Sequence, residues 1–244
     1  MWEYLESNYD VSANISCGTH VHISLAEGFT LQTLKQVAQS IIHFEPAFEA
    51  LLPENRRANE YSKSNWMDNP NFAYSKLSRG DSIALIEKCT TMRDLVLLMN
   101  PNHDKMFGWN FLYLLNDPKG TVEFRRGAAS VRVQDVFMWV ELAMSFIQAS
   151  VRIGLPENLR KIPRTVGGLR WFIDNAGLPN QVHGMNDKRY LDLIFAGKRQ
   201  DGTLSPKPLG NLSKEKAEKL LKKKEEDKTK NIMESKVMQA PYWG

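Results

Sequence analysis

The chain has 244 residues, 42% of them hydrophobic and 25% charged, enough for a globular protein with a substantial core and one or two domains. Its net charge of +4 comes largely from the run Lys214 to Lys230, where lysines alternate with Glu215, Glu218, Glu225, Glu226 and Asp227; this pattern describes a solvated helix or tail and excludes a nucleic-acid partner. Two cysteines, Cys17 and Cys89, exclude a disulfide framework, and the absence of CxxC spacing excludes a zinc ribbon, so a reducing compartment is expected.

The N-terminus, Met1-Trp2-Glu3-Tyr4-Leu5-Glu6, has neither the basic nor the apolar region of a signal peptide. The first strand is Cys17-Gly18-Thr19-His20-Val21-His22-Ile23-Ser24. Its alternation puts His20, His22 and Ser24 on one face and Val21, Ile23 and Leu25 on the other. Gly28 turns the chain and Thr30 caps a helix with Leu31, Leu34, Val37, Ala38, Ile41 and Ile42 at helical spacing, which Pro46 is expected to kink or end. Residues 54–79, with Arg56, Arg57, Asn59, Tyr61 and Ser62, read either as a solvent-exposed connection or as a loop able to close over a ligand. Asp81 is the expected cap of the next helix, and an apolar run from Met92 to Met99 precedes Asn100-Pro101.

Trp109 to Leu114 reads as a strand, joined by the turn Asn116-Asp117-Pro118-Lys119-Gly120 to the strand Thr121-Val122-Glu123-Phe124-Arg125. This hairpin implies antiparallel pairing and places Asn110 and Tyr113 near the Glu123 strand. Gln134 to Ile153 is a long apolar helix stopped by Gly154 and Pro156, and Glu141, Gln148 and Arg152 within it argue against a membrane span. Thr165 to Asn175 is a further short helix closed by Gly177 and Pro179. From about residue 206 the sequence turns polar, dividing the chain into a domain over 1–205 and a charged tail over 206–244 that ends in Ala240-Pro241-Tyr242-Trp243-Gly244. A cytoplasmic location, with no membrane partner, follows as the default.

Side by side, the two alternating strands gather imidazole, carboxylate and guanidinium on one sheet surface. Imidazole and carboxylate ligate divalent cations, and a guanidinium grips carboxylate or phosphate through paired hydrogen bonds, so the set suits a metal-bound, phosphate-bearing substrate. The same residues also describe a plain polar sheet face with a cross-strand ion pair.

The His20-Val21-His22-Ile23-Ser24 strand, Asn110 and the Thr121 to Gly127 strand followed by a helix carrying Trp139 resemble the amidoligase family. That family belongs to the carboxylate–amine ligases related to glutamine synthetase and glutamate–cysteine ligase. The resemblance spans roughly residues 8 to 195. It implies an α+β fold in which a curved antiparallel sheet carries helices on one face. It also implies an ATP-dependent ligase that joins a small-molecule or peptide carboxylate to an amine through an acyl phosphate, with magnesium or manganese. On this likeness His20 and Glu123 are metal ligands, His22 and Ser24 line the nucleotide, and Arg125 binds the substrate carboxylate or the transferred phosphate. The family's arginine two residues before the glutamate is replaced by Thr121, leaving Arg56, Arg57 and Arg126 as candidates for its phosphate.

The family's early Glu-x-Glu strands have no counterpart upstream of Cys17, since Glu3 and Glu6 have the wrong spacing. The expectation is therefore an open sheet edge beside residues 14–25, an exposed apolar side at Val21, Ile23 and Leu25, and self-association. Two other functions stand beside the ligase. A metal-dependent amidohydrolase-type hydrolase also opens on a His-x-His strand and would draw further ligands from His43, His103 and His183. A degenerate amidoligase-like binding protein would keep the fold without the chemistry.

Overall fold

The computed structural model describes residues 2–14, 17–116, 120–176 and 190–210, with separate positions between 213 and 229. Asp117, Pro118 and Lys119 of the expected turn, Gly177, Pro179, His183 and the Ala240 to Gly244 end lie outside the described residues. The chain divides into two units, Met1–Pro208 and Leu209–Gly244. Within the second, the described positions from 214 to 229 are helical and exposed, with Lys219 paired to Glu215 and Lys222 to Glu226 one turn apart.

In the first unit the elements run α1 (Trp2–Asn8), β1 (Gly18–Ile23), α2 (Leu31–Leu51), α3 (Pro70–Ala73), α4 (Arg79–Glu87), α5 (Met92–Met99), β2 (Trp109–Asn110), β3 (Val122–Ala128), α6 (Val133–Ile153), α7 (Pro156–Leu159), α8 (Val166–Asp174) and α9 (Leu191–Phe195). The fold is α+β. A small open antiparallel sheet has the order β1-β3-β2, with His22 and Asn110 both in register with Glu123, and Val21 and Trp109 both in register with Phe124. Between the Thr19–Gly127 and Val21–Phe124 pairs, β3 carries one residue more than β1, so Arg125 and Arg126 together face His20.

One side of the sheet is apolar. Val21, Ile23, Val122 and Phe124 are buried in a core shared with α2 and α6. Phe124 lies among Trp109, Phe48 and Trp139, and Phe146 packs on Trp109 and Phe48. α6 is long and apolar enough to cross a bilayer, and its Trp139, Leu142, Ala143 and Phe146 are buried in this core. The expected exposed apolar side of β1 is therefore corrected: Val21 and Ile23 are buried and Leu25 is half-buried. Among the described residues β1 pairs with β3 alone.

Several local expectations change for identifiable reasons. Pro46 neither ends nor interrupts α2, which runs on to Leu51. A proline leaves the carbonyl four residues earlier without its helical donor; here that carbonyl, on Ile42, accepts from Arg79 Nε at 3.1 Å. Ser78, not Asp81, caps α4: its hydroxyl accepts from the Asp81 backbone N–H, and Asp81 accepts from the hydroxyl in return. The strand expected over Trp109 to Leu114 stops after Asn110 and becomes a 3-10 turn over Leu112–Leu114. Two asparagines divert the ladder, because Asn110 Oδ1 takes the Leu112 N–H and Asn100 Oδ1 takes that of Phe111.

Residues 54–79 are neither a plain solvent connection nor a free lid. Ser62, Ser64, Asn65 and Asn69 are buried. Asn65 grips Trp109 by both backbone groups, donating to its carbonyl at 2.9 Å and accepting its N–H at 2.8 Å. Lys63 lies beside Phe107 as a parallel bridge, its N–H on Met106 O and its carbonyl taking the Gly108 N–H, so this segment borders the run that leads into β2.

Candidate active site

The site is organised around one carboxylate. β3 is the middle strand, so Glu123 has β1 on one side and β2 on the other, and it is only 2% exposed. Its Oε1 accepts from Arg125 Nη1 at 2.7 Å and from His20 Nδ1 at 3.0 Å, with His22 Nε2 at 3.6 Å. Its Oε2 accepts from Asn110 Nδ2 at 2.9 Å. Burial alone would raise the Glu123 pKa, but the His20 hydrogen bond, the Arg125 charge and the Asn110 amide together hold it down at about 2. Glu123 is an anion at any physiological pH.

That anion orients His20, whose Nδ1 donates its hydrogen to the carboxylate at 3.0 Å. Arg125 Nη1 and His20 Nδ1, 3.4 Å apart, are two donors to one oxygen rather than partners of each other. His22 is held by Thr121, whose Oγ1 lies 2.9 Å from Nδ1, and by the edge of the Tyr113 ring at 5.0 Å. The side chains of His20 and His22 are 37% and 42% exposed, so the imidazoles meet solvent while the carboxylate does not. Arg125 is buried, its Nε reaching Tyr61 O at 3.4 Å and its Nη2 facing Met106 Sδ. Ser24 is exposed just beyond β1.

The other predicted arginines separate. Arg126 passes over Gly108 to α2, where Glu49 binds its Nη2 and Glu45 lies 3.8 Å from Nη1. Arg57 Nε donates to Leu52 O at the end of α2. Arg56 is buried and its Nη2 donates to Arg125 O at 3.0 Å. Sequence reasoning missed Glu45 and Glu49, although two acids one turn apart in the largely apolar second half of α2 signal a buried cation. It also missed the Thr121 hydroxyl as a support for His22.

Among the described residues no group of three or more His, Cys, Asp or Glu side chains is arranged to hold a metal ion. Both oxygens of Glu123 are occupied by nitrogen donors, and magnesium demands oxygen ligands. The donor set therefore does not fit a protein-held magnesium site. The described histidines that the hydrolase would draw on, His43 and His103, are not gathered with His20 and His22 either. His43 is buried in α2, bonded to Ile162 O at 3.0 Å, and burial drives its pKa down to about 4. His103 sits on a turn after α5 with a positive φ of 54°.

An antiparallel sheet backed by two long helices, presenting a buried Glu–Arg–Asn cluster with two imidazoles above it, defines a small α+β domain with a polar site on its open face. The sequence model of the family described as "putative amidoligase enzyme" matches residues 1–147, and the chain belongs to that family. No curated protein and no solved structure matches the chain.

Proposed function

We propose that the protein is an ATP-dependent carboxylate–amine ligase that makes an amide or isopeptide bond through an acyl phosphate. Family membership supports amide-bond formation, and the observation that carries the reading is the convergence of His20, His22, Arg125 and Asn110 on the buried Glu123. A carboxylate is a poor acyl donor. Its oxygen attacks the γ-phosphorus of ATP, the bond to ADP breaks, and the resulting acyl phosphate loses phosphate when an amine attacks its carbonyl carbon. MgATP enters as a substrate whose cation is already held by phosphate oxygens and water. In this scheme Glu123 and Arg125 are positioning residues, since each neutralises the other, and the half-exposed imidazoles meet the reacting groups.

The test is a panel of amino acids, peptides and dicarboxylic acids with MgATP and hydroxylamine, following ADP and hydroxamate. The expected result is acid-dependent ADP release matched by hydroxamate and abolished in His20→Ala. Saturable binding of an acid from the panel without either product would replace the ligase with the binding-protein reading, which the full occupation of Glu123 favours. No binding and no turnover would sink both.

A further inference from the structure

We propose that Arg56, beneath the exposed Gly18 at the start of β1, forms an oxyanion site that takes a carboxylate or phosphoryl group of a ligand. Three guanidiniums share this part of the molecule. Arg125 has Glu123 at 2.7 Å, and Arg126 has Glu49 with Glu45 behind it. Arg56 is equally buried, at 3% exposure, and no carboxylate among the described residues pairs with it. Its Nη2 reaches a backbone carbonyl, and its buried Nε has no hydrogen-bond partner.

A guanidinium does not lose its proton in a protein, and a buried charge without a counter-ion is costly. Burial, then the Arg126 and Arg125 charges, all act against the protonated form of Arg56. The acids of α2 lie with Arg126 instead, Glu49 on its Nη2 and Glu45 3.8 Å from its Nη1, with the Asn65 N–H also on Glu45 Oε1. An arginine serving only to hold the Arg125 carbonyl would carry this cost for one neutral hydrogen bond. An anionic ligand removes it.

Gly18 makes the approach possible. A Cβ at this position would lie 3.0 Å from Arg56 Nη2, 3.3 Å from Gly127 O and 3.4 Å from Arg56 Cζ, so any side chain would press on the guanidinium, whereas the exposed glycine adds no atom there. By strand alternation Gly18 shares its face with His20 and His22, which puts a bound oxyanion beside the imidazoles. The inference holds whether the protein ligates or only binds.

The test is calorimetric titration of the full chain with inorganic phosphate and, separately, with glutarate, the tighter of the two naming the source of the anion. Saturable binding is expected, weakened about tenfold or more in Arg56→Gln because charge-assisted donors are lost, and unchanged in the control Arg93→Gln on the exposed side of α5. Without anion, Arg56→Gln should melt above the parent, and saturating phosphate should reverse that order. Where Arg56→Gln does not fold, Gly18→Ala crowds the guanidinium without removing its charge and should weaken binding as well. No saturable binding to the folded parent, or affinity unchanged in the folded variants, would overturn the proposal.

Discussion

Replacing Glu123 by Gln keeps the side chain's shape and removes its charge, leaving Arg125 buried without a counter-ion and His20 without an anionic acceptor for Nδ1. Breaking a buried pair by neutralising one partner costs about 3–5 kcal/mol. Proton linkage gives an independent figure. The carboxyl is held at about 2 in the fold against 4.5 for the unperturbed group, a difference worth about 3 kcal/mol. Because the folded value is the lower one, this stability is fully present above about pH 4.5 and is lost as pH falls toward about 2. Urea unfolding of the parent and Glu123→Gln should therefore differ by about 3 kcal/mol at pH 7, and the gap should close near pH 2, where the parent carboxyl is protonated too. Adding Arg125→Met should return part of the loss, since the double variant buries no unpaired charge. Equal stability at pH 7, or a gap of the same size near pH 2, would show that Glu123 is not the electrostatic centre of the site.

Glu45 has the opposite slope: burial raises its pKa to about 7, against the pull of Arg126 and the hydrogen bonds from Ser64 and Asn65, with Glu49 adding to the rise and Arg79 nearby. The folded state then holds an extra proton, so stability falls as pH rises from about 4.5 to about 7, by up to about 3 kcal/mol, and Glu45→Gln should flatten that limb in thermal melts across the range. A parent whose melting temperature is flat over this interval would refute the assignment. Asn65→Ala should cost about 2–4 kcal/mol in urea unfolding, because it strands both backbone groups of buried Trp109; a loss below about 0.5 kcal/mol would mean that the 54–79 segment is not clamped there.

What was legible in the sequence is what depends on backbone period alone. Alternation along 18–23 and 122–125 follows from strand geometry, so it placed His20, His22, Glu123 and Arg125 on one face without knowledge of the fold. Alternation fails one residue later, where the bulge on β3 turns Arg126 toward Glu49, 77 positions away in sequence. Pro46 shows the same limit in a helix: the rule that proline ends helices concerns a lost local donor, and Arg79, 37 residues from Ile42, restores one that no local pattern predicts.

Residue type identified the chemistry of the site, but roles depend on which partner occupies each atom. Glu123 reads as a metal ligand until both its oxygens are found bonded to nitrogen, and Arg125 reads as a substrate anchor until its charge is found cancelled at 2.7 Å. Arg56, Arg57 and Arg126 were equivalent as letters, and charge pairing in three dimensions separates them. Arg126 is matched by α2 acids and Arg57 holds a carbonyl half in solvent. Of the three, Arg56 alone is buried without a carboxylate partner among the described residues, and that is the charge the proposed anion would answer.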